Sequence, residues 1–250
     1  MSVFPEMRPS SAKSAAFVST RWSIVNDARR KTTAVSRRAL AELCEVYWYP
    51  LYAFIRRRGL SSEDARDMTQ GFFAELLEKE TLQVADRQRG RFRSFLLAAA
   101  SHFLSNQRRN ARTLKRGGNR RLLALNFASG ERRYSLEPFH ELTAEKIYDR
   151  RWAMTLLDQV LDKLHGESVA AGKQELFDTL TPYLGGSRQT VPYQDVARRL
   201  KMTEGAVKVA VHRLRRRCRD VLRDEIAQTV ADPAEIDDEL RSLFASVRGD

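Results

Sequence analysis

Apolar residues in this chain recur at intervals of three and four almost from end to end, and no stretch alternates with period two for long. A chain patterned this way buries its side chains as helices packed on helices, so the expected fold class is all-α. Leu40, Leu43, Cys44, Tyr47 and Trp48, continued by Leu51, Phe54 and Ile55, mark helical sequence over 37–58. Pro50 is expected to end one helix or start the next. Gly59-Leu60-Ser61-Ser62 reads as a turn, with Ser62 as N-cap of a helix over 63–80 that buries Ala65, Met68, Phe72, Phe73, Leu76 and Leu77. Another helix is expected from Phe92 to Arg112, burying Phe95, Leu96, Ala99 and Phe103. The Gly-rich basic run 115–121 interrupts the pattern, and irregular chain is expected as far as Leu142. Thr143 then caps a long helix through Tyr148, Trp152, Leu156, Leu157, Val160 and Leu164, and a shorter one follows near 174–184. These breaks give an N-terminal extension (1–36), a helical domain (37–113), a linker (114–142), a second helical domain (143–230) and an acidic tail (231–250).

Charge narrows the function classes. The 44 Lys and Arg outnumber the 32 Asp and Glu, a formal net charge of +12, and nucleic acid is the commonest polyanion that suits such an excess. The distribution is uneven. Seven bases and no acid lie in 105–121, and ten bases face Glu204 and Asp220 in 198–223. Seven acids face Arg66 and Lys79 in 61–86, which points to a protein-facing rather than DNA-facing surface there. No apolar run is long enough for a membrane span, and the first twenty residues lack the apolar core of a secretory signal. Cys44 and Cys218 stand far apart, which argues against a disulfide framework or zinc ribbon and fits a reducing, cytoplasmic setting. His102, His140, His165 and His212 are scattered, and neither a phosphate loop nor a dinucleotide-binding glycine run is present. The chain is therefore read as a non-enzyme, with no catalytic residue, metal or cofactor expected.

The most specific local pattern lies near the C-terminal end. Tyr193-Gln-Asp-Val-Ala-Arg-Arg-Leu200, a short turn ending in Thr203, and Glu204-Gly-Ala-Val-Lys-Val-Ala-Val-His-Arg-Leu-Arg-Arg-Arg217 read as a helix-turn-helix. Thr203 is the expected N-cap, and Lys201 stands where such a turn often takes glycine. On the second helix Val207, Ala210, Val211, Leu214 and Cys218 share a packing face. Gly205, Lys208, Val209, His212, Arg215 and Arg216 lie on the face that would enter a major groove.

These residues resemble the C-terminal promoter-binding domain of small bacterial RNA polymerase sigma factors, the two-domain extracytoplasmic-function class. Independently, Glu63-Asp-Ala-Arg-Asp-Met-Thr-Gln-Gly-Phe-Phe73 resembles their polymerase-docking helix, and Arg91-Phe-Arg-Ser-Phe-Leu-Leu97 resembles the start of the helix that holds the minus-ten element. The likeness covers about 37–113 and 150–225, in the family's order. It implies a factor that binds core RNA polymerase and carries it to promoter DNA. Asp64, Asp67 and Gln70 would meet the polymerase; Gly71 stands where family members usually carry an acid, so docking rests more on Asp67 and Gln70. DNA contacts would come from Arg87, Arg89 and Arg91, from Asn106, Arg108, Arg109 and Arg112, and from Thr203, Lys208, Val209, His212, Arg213 and Arg216. An anti-sigma protein is a further partner the class allows. The alternative is a helix-turn-helix regulator that never binds core polymerase; a nucleic-acid-processing enzyme would need a carboxylate cluster that the sequence lacks.

Beyond Ile226, Asp232 is expected to cap a helix with Pro233 at its first position. Ile236, Leu240, Leu243 and Phe244 line one side of it, and Glu235, Asp238 and Glu239 charge much of the rest. Such a tail can pack on the second domain or mask the basic recognition helix; its apolar stripe favours packing.

Overall fold

The computed structural model describes residues 22–28, 34–78, 82, 85, 90–111, 125–136, 142–185 and 191–248, and every regular element among them is helical. Ten α-helices follow in order among the described residues: α1 Trp22–Ala28, α2 Ala34–Arg57, α3 Ser62–Glu78, α4 Phe92–Ala111, α5 Phe127–Tyr134, α6 Ala144–Ala170, α7 Gln174–Leu180, α8 Tyr193–Leu200, α9 Glu204–Ala227 and α10 Ile236–Arg248. Short 3-10 turns occupy Thr181–Gly185 and Pro233–Glu235. The all-α class read from the periodicity holds.

The long apolar stripe of α2 organises the bundle. Tyr47, Leu51, Tyr52, Phe54 and Ile55 are buried, and α6 lies along them through Ile147, Tyr148, Trp152 and Leu156. The stripe also explains why α2 runs through Pro50 instead of breaking there. An internal proline costs about 3 kcal/mol, whereas burying each large apolar side chain on either side of it returns roughly 1.5–3 kcal/mol. Helix α1, within the stretch expected as an extension, packs on α2. Its Trp22 meets Phe92 edge to face at 5.9 Å, and its backbone and indole N–H groups donate to the Gln228 and Thr229 carbonyls, each at 3.3 Å.

Two local expectations are corrected. The cap of α3 is Ser61, not Ser62: the Asp64 amide donates to the Ser61 hydroxyl at 3.0 Å, and that hydroxyl donates back to the Asp64 carboxylate at 2.7 Å. This reciprocal pair satisfies an otherwise open helix-start donor. The second correction falls inside 114–142, where a helix, α5, stands in sequence expected to be irregular. Asn126 caps it, Trp48 and Tyr52 pack edge-on against Phe127, and Glu131 receives two hydrogen bonds from Arg56, at 2.8 and 3.1 Å, and one from the Tyr52 hydroxyl. The Gly-rich run 115–121 lies outside the described residues.

The described buried residues form two clusters. The larger extends from Trp22 to Val247 and draws on α1 to α7, α9 and α10. The smaller gathers Leu180, Tyr183, Val196, Ala197, Val207 and Val211. Helix α9 serves both, with Val207 and Val211 in the smaller and Cys218, Val221, Leu222 and Ile226 in the larger. The acidic tail packs: Leu243 and Val247 are buried, and Ile236, Leu240 and Phe244 lie against the larger core beside α6 and α9. Asp232 caps its start, accepting from the Ala234 amide at 2.8 Å, with Pro233 first in the turn.

Candidate nucleic-acid interface

Helix α8 has Val196 and Ala197 buried against α9, which lets the two helix backbones approach closely. The chain then reverses through Lys201, at φ 53° and ψ 43°, a left-handed conformation unusual for a residue with a Cβ. The Met202 amide closes this turn on the Ala197 carbonyl at 2.9 Å. Thr203 caps α9, its hydroxyl accepting from the Ala206 amide at 3.2 Å. Its side chain is thus committed to the helix start.

The two faces of α9 separate as the sequence implies. Val207, Val211 and Cys218 are buried and Ala210 and Leu214 half-buried, while Lys208, His212, Arg213 and Arg216 are exposed. Val209 stands out among them, an aliphatic side chain 49% exposed within a basic surface. Lys208 is paired with Glu204 at 2.7 Å, and that hydrogen bond raises its pKa. Arg215 is exposed, as its place on that face implies, and its guanidinium donates to the Tyr183 carbonyl from Nε at 3.1 Å and Nη2 at 2.8 Å. It ties the 3-10 turn to α9, while Tyr183 stacks on Tyr193 of α8 at 5.1 Å. Arg217 likewise turns to Glu167 of α6, at 3.0 and 2.6 Å.

Farther along the bundle, Asn106, Arg108 and Arg109 are exposed at the end of α4, with Arg108 reaching the Arg58 carbonyl at 3.5 Å. Arg87, Arg89 and Arg112 lie outside the described residues. Arg91 is half-buried, with Nη1 2.7 Å from a Glu239 carboxylate oxygen. On α3, Asp64 and Asp67 are exposed and Gln70 half-exposed. The same side closes over at Ala74, and Gly71 is buried. Phe72, Leu76, Phe95, Ala99 and Phe103 floor a groove of about 330 Å³ between α3 and α4, rimmed by Glu75, His102 and Asn106.

Sequence reasoning missed Arg93. It sits in the first turn of α4 and is buried, with Nε and Nη2 donating to the two Glu239 oxygens at 2.9 and 3.1 Å. Its third nitrogen reaches Asp149, and its guanidinium lies over the Trp152 ring, 4.6 Å from the centroid. Burial pushes the Asp149 carboxyl up, against the opposing pull of Arg93. Glu239 is also a correction: expected on the charged side of its helix, it is fully buried, because three residues after Ile236 and four before Leu243 set it at the edge of the apolar stripe.

Burial also settles the thiols, pushing Cys44 up to about 12 and Cys218 up to about 11, so both stay protonated at neutral pH. Among the described residues, no group of three His, Cys, Asp or Glu side chains is placed to hold a metal ion. Among the same residues, no helix is long and apolar enough to cross a membrane. Comparison with models of known families, with curated proteins and with solved structures returns no match.

Proposed function

We propose that this chain is a sigma factor: it binds core RNA polymerase through α3 and brings it to promoter DNA through α9 and the end of α4. The observation that carries the reading is one chain presenting both an acid-and-amide face, exposed Asp67 with half-exposed Gln70, and an exposed basic face built on a tight two-helix turn. Carboxylates repel phosphates, and with an amide beside them they complement basic and polar groups on a protein. His212, Arg213 and Arg216 supply phosphate and guanine partners, and Val209 offers an apolar contact for a thymine methyl. Arg215 is a positioning residue, holding α9 against the turn before α8.

A second reading, a helix-turn-helix regulator independent of polymerase, is favoured by the internal pairing of Arg91, which leaves α9 as the larger exposed basic face. Titration with core polymerase separates the two. The native chain is expected to bind, and Asp67→Arg with Gln70→Ala to bind more weakly, with helicity and duplex-DNA binding retained. Equal affinity of the double variant and the native chain at matched salt removes α3 from the proposal; no binding by the native chain leaves the regulator.

A further inference from the structure

We infer that α10 is a built-in competitor for an unpaired DNA strand: Glu239 occupies, within the same chain, the arginine pair at the start of α4. The inference rests on the proposed function, with Arg91 among the DNA contacts that the resemblance implies. Its physical basis is the contrast between the two sides of α10. Toward α6 and α9 the helix is held by apolar burial, with Leu243 1% exposed and Leu240 and Phe244 packed on the core. Toward the start of α4 it makes polar contacts: Glu239 with Arg91 and Arg93, and the Ser242 hydroxyl 3.4 Å from Arg93 Nη2.

A carboxylate that accepts from the Nε and Nη2 edge of a guanidinium is a close stand-in for a phosphodiester, which offers two oxygens and a single negative charge to the same fork. Glu239 takes that edge of Arg93 and also pairs with Arg91. The Arg91 side chain is 30% exposed, against 1% for Glu239, so a strand would reach the pair through Arg91. The exchange replaces one anion by another and leaves the Asp149 and Trp152 contacts of Arg93 in place. Apolar burial keeps α10 docked on α6 and α9, while the partly exposed Arg91 contact is the one open to salt and polyanions.

The test uses the full chain and a labelled single-stranded oligodeoxynucleotide, with a duplex of the same sequence as control, titrated at several salt concentrations. Glu239→Gln is expected to bind the single strand several-fold more tightly. Its slope of log K against log salt should steepen by about 0.7 for each phosphate newly neutralised. Arg91→Ala should cancel that gain in the Glu239→Gln background. Ser242→Asp, which adds a second carboxylate beside Arg93, should weaken single-strand binding several-fold. A folded Glu239→Gln chain that binds the single strand as the native chain does overturns the inference. Where Glu239→Gln fails to fold, unchanged binding by Ser242→Asp overturns it instead. A parallel titration of the native chain with core polymerase tests the proposed function separately: loss of that binding with the Glu239 effect intact would leave a self-competing DNA-binding protein.

Discussion

Two glycines inside helices should respond to the same substitution with opposite signs. Gly130 of α5 faces α2 so closely that an added Cβ would lie 2.9 Å from Trp48 Cζ3 and 3.0 Å from Cη2. The ring cannot swing aside cheaply, because it is held edge to face by Tyr49 at 5.6 Å and Phe127 at 5.5 Å. Each such aromatic contact contributes about 0.5–1.5 kcal/mol. Gly130→Ala therefore trades an overpacking cost of about 1–3 kcal/mol against a helix-propensity gain of about 1 kcal/mol, for a net loss of about 0–2 kcal/mol. Gly166 of α6 has nothing within 4 Å of its added Cβ, so Gly166→Ala keeps the whole gain of about 1 kcal/mol. The two variants should differ by roughly 1–3 kcal/mol, which for a chain of this length separates their melting temperatures by roughly 2–12 °C. Thermal unfolding followed by circular dichroism under identical conditions measures the gap. A Gly130→Ala chain as stable as Gly166→Ala would refute the close seating of α5 on α2.

The Arg56 guanidinium, helped by the Tyr52 hydroxyl, holds the Glu131 carboxyl below its ordinary range against the opposing effect of burial. The stabilisation is complete above the unfolded carboxylate's range and is lost as pH falls through the lower folded value. Glu131→Gln should cost about 1 kcal/mol at neutral pH, discounted because the side chain is 36% exposed, and should flatten the acid limb of the urea-midpoint profile. Lys201→Gly should relieve a left-handed residue and raise stability by on the order of 1 kcal/mol, read as a higher melting temperature. In duplex-DNA titrations, Arg216→Ala should reduce affinity more than Lys208→Ala, whose charge Glu204 already offsets at 2.7 Å; equal losses would argue against that pairing in solution. Selection from random duplexes should show Val209→Ser with a relaxed preference at one thymine position, and an unchanged consensus would argue against a base contact by Val209.

Helices α2, α3, α4, α6 and α9 were legible because each repeats its apolar stripe over several turns, and Thr143 and Thr203 cap where the sequence places them. Helix α5 was not legible. Its eight residues bury Gly130 and Tyr134, too few for a periodicity, and its seat is supplied by Trp48, Tyr52 and Arg56 from far upstream. The shift from Ser62 to Ser61 has a local cause, since both can cap and the choice falls to the serine with Asp64 three residues on. At the candidate interface, the exposed face of α9 followed from the buried one, because a helix with one packed side presents the other. What the sequence could not display was the partner of each charge. Arg91, Lys208 and Arg215 all looked available for DNA, yet they pair with Glu239, Glu204 and the Tyr183 carbonyl. The Arg93–Glu239 pair spans 146 positions, and no local pattern joins two such residues.

The division of α9 between two cores makes that helix a lever arm. Its 24 residues span about 36 Å at 1.5 Å per residue, with the exposed basic face toward one end and Ile226 locked in the larger core near the other. Just past the locked end, Trp22 of α1 hydrogen-bonds to Gln228 and Thr229. A tilt of a few degrees at that anchorage would displace the opposite end by about 2 Å over this length, several times the roughly 0.5 Å range of a side-chain hydrogen bond. The aim of Val209 and His212 is therefore set partly by residues at the beginning of the chain, and changes at Trp22 should alter which duplexes are bound without touching a base.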